Sequence, residues 1–277
     1  METVRLAGRD VGRVGFGAMQ LNGQGVLTAA VERGVRLIDT AEFYGQGSVN
    51  ALIRDTLRDW YPELVVATKI GARHDPATRL RPAQRPPELR ADVEANLASL
   101  GTERLDLVYL RRVDMPPGIV ATGEQRVALD SQLAELMALR DEGKIAAIGL
   151  SNVTTAQLEQ ALPAGIAAVQ NAYSLADRSS EPVLEICRAH RIAWIPYWPL
   201  GGSFPGRAKV AELPVARSVA QRLGVTPVQL GLAWQLAHYE RTVVIPGTRQ
   251  VAHLEENLAV ADIAIPEDIM RDLMAMV

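Results

Sequence analysis

Short apolar runs alternate along the chain with longer segments in which apolar residues recur at helical spacing. Several of these runs are apolar nearly throughout, which is the pattern of parallel strands covered on both faces. We therefore predict eight strands, over 14–18, 36–40, 64–70, 105–110, 145–150, 167–171, 192–197 and 242–245.

The segments between these runs predict helices whose ends carry recognisable start and stop residues. Gly34 and Gly101 follow helical segments, at positions where glycine accepts the left-handed conformation that ends a helix. Thr154 and Thr226 are each followed three residues later by glutamine, which matches the capping box that begins a helix. The predicted helices include 24–33, 48–60 and 266–276.

Eight strand-then-helix units with short connections favour a closed (β/α)₈ TIM barrel, an α/β fold formed by residues 1–277 as one domain with a short C-terminal tail. The alternative is a doubly wound open sheet. That fold would carry a glycine-rich phosphate turn after its first strand, and the sequence VGFGAM lacks the G-x-G-x-x-G spacing. The barrel is therefore the expected fold.

Composition and charge narrow the classes of function. Of the 277 residues, 48% are hydrophobic and 22% are charged, a balance typical of a globular protein. A net charge of −3 gives no electrostatic reason to expect nucleic acid or an anionic membrane as a partner. The one cysteine, Cys187, lies in a segment of helical period, so we expect a buried structural thiol. Neither a signal peptide nor a run of ~20 apolar residues is visible, so we expect a cytoplasmic protein. Separately, we expect a monomer or weak oligomer.

Charged and aromatic side chains follow three of the predicted strands. Asp39 ends the second strand in LIDTAEFYG, and Tyr44 lies five residues beyond it. Lys69 ends the third strand in VVATKIG, and Arg111 follows the fourth in LDLVYLRR. Singly, each has an ordinary explanation as a solvated or capping group. Because catalytic groups of barrel enzymes lie at the carboxyl ends of strands, we expect the four to converge at one mouth.

Three of these side chains together suit the reduction of a carbonyl, which needs hydride on carbon and a proton on oxygen. A tyrosine is a weak acid at neutral pH. An ammonium beside its hydroxyl stabilises the phenolate, and a carboxylate paired with the lysine keeps the ammonium charged and oriented. We therefore predict Tyr44 as the proton donor, supported by Lys69 and Asp39.

At these residues the chain resembles the aldo-keto reductases. The match runs through VGFGAMQL, LIDTAEFYG, VVATKIG, LDLVYL, IGLSN, VQNAYS, YWPLGG and IPGTRQVAHLEENL, in the family's order and over essentially the whole length. Any one motif is weak, whereas the ordered set is specific. The resemblance implies a (β/α)₈ barrel that uses NADPH or NADH without metal or flavin, with Asp39, Tyr44 and Lys69 as three members of a catalytic tetrad.

The resemblance also implies a cofactor site built from several loops. Its residues are Ala18 and Met19 at the end of the first strand, Ser151, Asn152 and Gln170 at the nicotinamide carboxamide, Tyr197 against the ring with Trp198 beside it, Leu200, Gly201 and Gly202 along the pyrophosphate, and Gly247, Thr248, Arg249, His253, Glu256 and Asn257 at the adenosine end. A 2′-phosphate would offer Arg249 a bidentate partner, which favours NADPH over NADH. The alternatives are that Arg249 is a solvated loop charge and His253 an exposed helix residue.

The fourth tetrad position departs from the family pattern, because the family usually has a histidine where this chain has Arg111. A guanidinium is no titrating proton relay, but it donates hydrogen bonds to a carbonyl oxygen and stabilises a developing alkoxide. The alternative is that Arg111 turns aside to pair with a carboxylate such as Asp39, which would leave a slow or inactive enzyme. With its GLSN and PLGG stretches, the chain is similar to the bacterial branch that contains pyridoxal reductases, which implies pyridoxal as one substrate.

Two connections after strands, 71–85 and 111–127, are longer than a barrel needs, so we expect them to form walls of a substrate pocket. Many members of the family carry a long C-terminal loop over the substrate, and this chain ends soon after its last predicted helix. We therefore expect an open pocket shaped by Phe43, Trp198 and the two connections. Trp198 is explained equally well as a core residue.

Two other functions fit parts of the pattern. In a lyase, Lys69 would form a Schiff base with a carbonyl substrate, although a paired Asp39 would keep the lysine protonated rather than nucleophilic. In a cofactor-binding redox sensor, the cofactor residues would remain without turnover, and the arginine at position 111 supports that alternative.

Overall fold

The structure is a computed structural model that describes residues 2–202 and 208–275. Its strands are β1 (Thr3–Leu6), β2 (Arg9–Gly12), β3 (Phe16–Gly17), β4 (Leu37–Asp39), β5 (Val65–Ile70), β6 (Ala72–Asp75), β7 (Arg79–Pro82), β8 (Leu105–Arg111), β9 (Ile145–Ser151), β10 (Ile166–Gln170) and β11 (Ala193–Trp194). Its α-helices are α1 (Gln24–Glu32), α2 (Ser48–Leu57), α3 (Pro86–Leu100), α4 (Leu129–Asp141), α5 (Thr155–Ala161), α6 (Glu181–Ala189), α7 (Pro214–Leu223), α8 (Pro227–His238), α9 (Val251–Leu258) and α10 (Glu267–Met274).

Seven of these strands form one curled parallel sheet in the order β11-β10-β9-β8-β5-β4-β3. The two edges of the sheet are joined through residues 242–244, which form isolated parallel bridges from Trp194 to Thr242 and from Val14 to Val244. The predicted alternation of parallel strands and helices is therefore confirmed. The eighth predicted strand is present only as bridges, so the sheet itself has seven strands and is open.

The eighth predicted strand, 242–245, is interrupted because other groups take its hydrogen-bonding positions. The Arg13 guanidinium donates to the carbonyl of Thr242 at 3.2 Å, so this carbonyl is already occupied. Pro246 has no N–H with which to continue a ladder. Pro196 limits the seventh predicted strand in the same way, which leaves the two residues of β11 and one isolated bridge beyond it.

Two antiparallel hairpins are absent from the sequence-based prediction. The first pairs β1 with β2, and its buried residues Val4 and Val11 pack with Leu37 and Val65, the first residues of β4 and β5. This hairpin therefore covers the amino-terminal end of the sheet. The second pairs β6 with β7 inside the predicted connection 71–85.

Apolar side chains are buried in two layers. An inner cluster lies within the curl of the sheet, and a larger outer cluster lies between the sheet and its covering helices. Cys187 is fully buried in the outer cluster, and burial raises the pKa of its thiol. The prediction of a buried structural thiol is therefore confirmed.

The predicted helix ends are largely confirmed. Gly34 and Gly101 have φ values of +90° and +64°, so both adopt the left-handed conformation. Thr154 and Thr226 each accept from the backbone N–H three residues on, and both capping boxes are formed. The local sequence thus determines where these helices begin and end.

The helices predicted over 24–33, 48–60 and 266–276 are all shorter than predicted, and α1 ends one residue early, at Glu32. α2 ends at Leu57 and continues as a 3₁₀ turn over Arg58–Trp60. α10 ends at Met274, and the predicted end at Met276 lies outside the described residues. Across residues 2–202 and 208–275, no helix combines the length and apolarity needed to span a membrane.

Candidate active site

Side chains alternate between the two faces along each strand, and this alternation determines which of them face the mouth at the carboxyl end of the sheet. Lys69 is in register with Tyr109 on β8, and Arg111 is in register with Ser151 on β9. Residues two apart on a strand lie on the same face, so Arg111 shares the face of Tyr109, which belongs to the inner cluster. Gln170 is in register with Ser151. The sheet therefore brings these side chains to one mouth, as the sequence predicts.

Asp39 and Lys69 form a buried ion pair at this mouth. Lys69 Nζ lies 2.6 Å from Asp39 Oδ1, and each side chain is only 6% exposed. The ammonium also donates to the carbonyl oxygen of Thr40 at 2.9 Å. Gln170 Nε2 donates to Asp39 Oδ2 at 2.8 Å. Both carboxylate oxygens therefore have a fixed partner.

The charge state of Lys69 follows from these neighbours. Burial alone lowers the pKa of Lys69, but the negative charge of Asp39, helped by the Tyr44 side chain, outweighs burial and raises it. The lysine is therefore an ammonium at neutral pH. Because an ammonium is no nucleophile, this geometry argues against the Schiff-base alternative.

Tyr44 lies beside the ion pair, on the loop that follows β4. It begins a 3₁₀ turn over Tyr44–Gly47, and Lys69 Nζ lies 5.1 Å from the centroid of its ring. The Phe43 ring meets the Tyr44 ring edge-on at 5.2 Å, and Phe43 is buried in a small apolar cluster with Ala41 and Ala72. Tyr44 is itself half-buried, so part of it remains accessible. The structure thus brings together the three side chains predicted to move the proton.

Arg111 is half-buried at the same end of the sheet. Among residues 2–202 and 208–275, its guanidinium forms no ion pair and no hydrogen bond. The alternative in which Arg111 pairs with Asp39 is wrong for this structure, because Lys69 and Gln170 occupy the two carboxylate oxygens. Its guanidinium is therefore available to a ligand.

The next residue, Arg112, has the opposite environment. It is buried and donates to the two carboxylate oxygens of Asp114 at 2.7 and 2.9 Å. It also donates to Gln132 Oε1 and to the carbonyl of Val127. Arg112 therefore anchors the connection 111–127, while Arg111 does not take part in that network.

Asn152 and Gln170 form the part of the site predicted to hold a carboxamide. Gln170 is fully buried, and its Oε1 has no hydrogen-bond partner within the described residues. Asn152 adopts a left-handed backbone with φ +58°. Its Nδ2 donates to the carbonyl of Met115 at 3.0 Å, and its Oδ1 accepts from the Tyr197 hydroxyl at 3.3 Å. A buried acceptor without a donor fits a ligand that carries an amide N–H.

The predicted ring and pyrophosphate residues lie on the loop after β11. Trp198 is half-buried, has φ +56° and meets the Tyr197 ring edge-on at 5.0 Å. It belongs to none of the core clusters, so the core alternative for Trp198 is not found. A Cβ on Gly202 would lie 3.0 Å from the Trp198 ring, so the glycine permits this contact. Leu200 is half-buried and Gly201 buried on the same loop.

The predicted adenosine residues lie on the turn before α9 and on that helix. Gly247, Arg249, His253 and Glu256 are exposed, whereas Thr248 and Asn257 are buried. The Thr248 hydroxyl accepts from the N–H of Gln250 at 3.1 Å, which fixes the turn. Within the described ranges the Arg249 guanidinium has no partner. Of the two cofactor residues predicted at the end of the first strand, Ala18 is buried and Met19 is 51% exposed.

Tyr109 is a buried group at this site that the sequence analysis does not single out. Its side chain is fully buried, and its hydroxyl has no partner in the described part of the chain. Burial, and secondly the charge of Asp39, raises the pKa of Tyr109, so the phenol stays protonated. Residues two apart on a strand share a face, so Tyr109 lies on the same inner face as Arg111. The sequence could have identified Tyr109 in this way.

We expect Tyr109→Phe to stabilise the protein, because the substitution removes a hydroxyl that is buried without a partner. An unsatisfied buried polar group costs about 1–3 kcal/mol, so the free energy of unfolding should rise by about 1 kcal/mol. Urea unfolding followed by circular dichroism measures this change. Tyr61→Phe is the matched control, since the Tyr61 hydroxyl donates to the carbonyl of Leu100 at 3.0 Å and its loss should destabilise. A Tyr109→Phe protein less stable than wild type would contradict the assignment.

Comparisons with known proteins find matches that extend along nearly the whole chain. A model described as "Aldo/keto reductase family" matches residues 13–277. Pyridoxine 4-dehydrogenase of Escherichia coli (strain K12) is 37% identical over 285 residues, which covers 98% of this chain and 96% of that protein. Uncharacterized oxidoreductase C215.11c of Schizosaccharomyces pombe is 32% identical over 287 residues, which covers 98% and 88%.

Solved structures with the same fold include other aldo-keto reductases. The thermostable aldo-keto reductase Tm1743, in complex with the inhibitor epalrestat, has a TM-score of 0.84 at 26% identity and covers 100% of both chains. An aldo/keto reductase from Klebsiella pneumoniae in complex with NADP and acetate has a TM-score of 0.82 at 24% identity, covering 99% of this chain and 95% of that one. The resemblance seen in the sequence motifs is therefore confirmed.

Proposed function

The chain belongs to the aldo/keto reductase family, and from this premise we propose that it uses NADPH to reduce an aldehyde or ketone to an alcohol, with Tyr44 as proton donor. The observation that carries the proposal is the buried pair of Asp39 and Lys69, 2.6 Å apart, beside the Tyr44 ring. Aldehyde-dependent loss of NADPH absorbance tests it. Tight NADPH binding without any consumption would favour the redox-sensing alternative.

In the proposed reaction each side chain at the mouth has one role. The bound cofactor supplies hydride to the carbonyl carbon. Tyr44 donates its hydroxyl proton to the carbonyl oxygen as that oxygen gains negative charge. Lys69, kept as an ammonium by Asp39, stabilises the phenolate that Tyr44 becomes. Arg111 donates hydrogen bonds to the same oxygen and stabilises the developing alkoxide.

The residues present at the mouth fit a nicotinamide cofactor. The unpartnered Oε1 of Gln170 would accept from the carboxamide N–H, with Ser151 and Asn152 beside it. The ring would rest against Tyr197, next to Trp198. The rest of the cofactor would follow Leu200, Gly201 and Gly202 to Gly247, Thr248, Arg249, His253, Glu256 and Asn257, with Ala18 and Met19 alongside. The NADP complex of the Klebsiella pneumoniae protein, which shares the fold, supports this proposal.

We expect Arg249→Ala to weaken NADPH binding much more than NADH binding, because only NADPH carries the 2′-phosphate. Loss of a hydrogen bond to a charged group should raise the Kd for NADPH by about tenfold or more. Fluorescence titration of each cofactor measures both constants. Arg222→Ala on α7, also an exposed arginine, is the matched control and should change neither. Equal weakening of NADPH and NADH binding would contradict a contact between Arg249 and the 2′-phosphate.

Pyridoxal is the substrate that we propose, with pyridoxine as the product. The support is the 37% identity with Escherichia coli pyridoxine 4-dehydrogenase over nearly the whole of both chains. Leu80 of the connection 71–85 and Ile119 of the connection 111–127 both pack against the small cluster that contains Phe43, beside Tyr44. These two connections are therefore the proposed walls of the substrate pocket.

We further propose that residues 242–245 act as the eighth strand of a closed (β/α)₈ barrel, so that the chain forms a single domain. The N–H of Val243 donates to the carbonyl of Trp194 at 2.9 Å. On the other side, the N–H of Gly15 donates to the carbonyl of Val244 at 2.8 Å. Both edges of the sheet are thereby bonded to this one segment.

A further inference from the structure

Arg111 is a charged side chain at the mouth without an ion-pair partner in the described part of the chain. Asp39 contributes one negative charge, and Lys69, at 2.6 Å, neutralises it. Arg111 then adds a positive charge that has no acidic partner among residues 2–202 and 208–275. Because the guanidinium is half-buried, it loses part of its hydration without a compensating charge, and an anionic ligand would supply that charge.

Three other arginines on the two connections differ from Arg111 in this respect. Arg73 pairs with Asp92 and Arg85 pairs with Glu88. Arg112, the neighbour of Arg111 in sequence, pairs with Asp114 through both carboxylate oxygens. Within the described ranges Arg79, Arg81 and Arg126 also lack an ion-pair partner, but all three are exposed. Among the described arginines of these two connections, Arg111 is therefore distinguished by being half-buried and unpaired.

The connection 111–127 also leaves room around the guanidinium. It passes Arg111 at Gly118, where φ is +100° and a Cβ would lie 3.0 Å from Arg111 Nη2. Any other residue there would be strained and would crowd the guanidinium. Glycine at this position thus keeps the planar donor group uncovered by a side chain.

Apolar and aromatic side chains also lie near the mouth. Tyr44 and Trp198 are half-buried, and Met19 is 51% exposed. Such surroundings suit a flat ring, whereas the guanidinium suits two oxygens side by side, because its N–H groups form a rigid fork. An aromatic aldehyde with an ionised hydroxyl on the neighbouring ring carbon presents such a pair of oxygens.

Resting on the proposed reductase function, we propose that Arg111 selects carbonyl substrates that carry an anionic oxygen on the carbon next to the one bearing the carbonyl. One N–H of the fork donates to the carbonyl oxygen and another to the anionic oxygen. Pyridoxal, with its hydroxyl next to the formyl group, belongs to this class. Arg111 thus takes part in recognition of the ground state in addition to stabilising the alkoxide.

The test compares two aldehydes of similar size, 2-hydroxybenzaldehyde and 2-methoxybenzaldehyde, at a pH where the hydroxyl is ionised. In wild type, kcat/KM for the hydroxy compound should exceed that for the methoxy compound by about tenfold or more, the effect expected of a hydrogen bond to a charged group. In Arg111→Met this ratio should fall to about one, and Arg111→Lys should keep part of it, because lysine retains the charge without the fork.

Arg222→Met is the matched control, because Arg222 is an exposed arginine of α7 outside the proposed pocket and its change should leave the ratio as in wild type. A wild-type ratio near one, or an unchanged ratio in Arg111→Met, would overturn the proposal. If neither aldehyde is reduced, the proposed function fails. The inference is then decided by the binding of each aldehyde to the NADPH-loaded protein, measured by tryptophan fluorescence. Selective binding of the hydroxy compound that is lost in Arg111→Met would then support the anion site, and equal binding of both aldehydes would overturn it.

Discussion

Tyr44→Phe is expected to abolish carbonyl reduction while leaving cofactor binding intact. The substitution removes only the hydroxyl and keeps the ring that packs edge-on with Phe43 at 5.2 Å. A positioned general acid contributes roughly 10²–10⁴-fold to the rate, so kcat/KM for an aldehyde should fall by about three orders of magnitude. Steady-state oxidation of NADPH measures the loss, and fluorescence titration measures the affinity for NADPH.

Tyr61→Phe serves as the control for this experiment. Tyr61 lies just before β5, at the amino-terminal end of the sheet and away from the mouth, and its hydroxyl bonds to the Leu100 carbonyl. Its removal should leave kcat/KM near the wild-type value. If Tyr44→Phe retained most of the wild-type activity, the proton would have to come from another group.

Lys69→Met is expected to cause the largest loss of stability. It leaves the Asp39 carboxylate buried, 6% exposed, with Gln170 as its remaining side-chain partner. Breaking a buried ion pair by removing one partner costs about 3–5 kcal/mol, because the other charge stays buried without compensation. Urea unfolding should show a loss of this size in the free energy of unfolding, and aldehyde reduction should disappear as well.

The double substitution Asp39→Asn with Lys69→Met separates the two effects. It removes both charges together, so much of the stability lost in Lys69→Met should return, as expected for directly coupled residues. Catalysis should not return, since no ammonium remains to stabilise the phenolate of Tyr44. A Lys69→Met protein as stable as wild type would contradict the account of the pair as buried and ionised.

The central part of the site could be predicted from the sequence because short apolar strands determine which residues come at their ends. Asp39 ends β4, and Lys69 comes one residue before the end of β5, its parallel neighbour. Carboxyl ends of neighbouring parallel strands meet at one edge, so the ion pair follows from the pattern. Tyr44 follows in the same way, because only a short loop separates it from Asp39.

Other features depend on contacts between residues far apart in sequence. Whether Arg111 pairs with Asp39 depends on Gln170, which lies 131 positions beyond Asp39 and occupies its second oxygen. The shortened eighth strand depends on Arg13, whose guanidinium bonds the carbonyl of Thr242 from the far end of the chain. Sequence periodicity carries no information about such competition for a hydrogen-bonding group.

The hairpin of β6 and β7 could not be predicted for a different reason. The β6 sequence ARHD lacks the alternation of apolar and polar residues that identifies a half-buried strand. The β7 sequence RLRP alternates, but it is only four residues long and contains a proline, which argues against a strand. Only Ala72 and Leu80 contribute to an apolar cluster. The hairpin depends on packing against the loop that carries Tyr44, which the local sequence does not reveal.

The central claim is that hydride passes from NADPH to a substrate carbonyl at this mouth. The most direct measurement uses NADPH with deuterium at the transferable position, pyridoxal as substrate and mass spectrometry of the product. The account predicts pyridoxine that carries one deuterium on the new alcohol carbon, formed by wild type and not by Tyr44→Phe. Pyridoxine without deuterium, or equal formation of labelled pyridoxine by Tyr44→Phe, would contradict it.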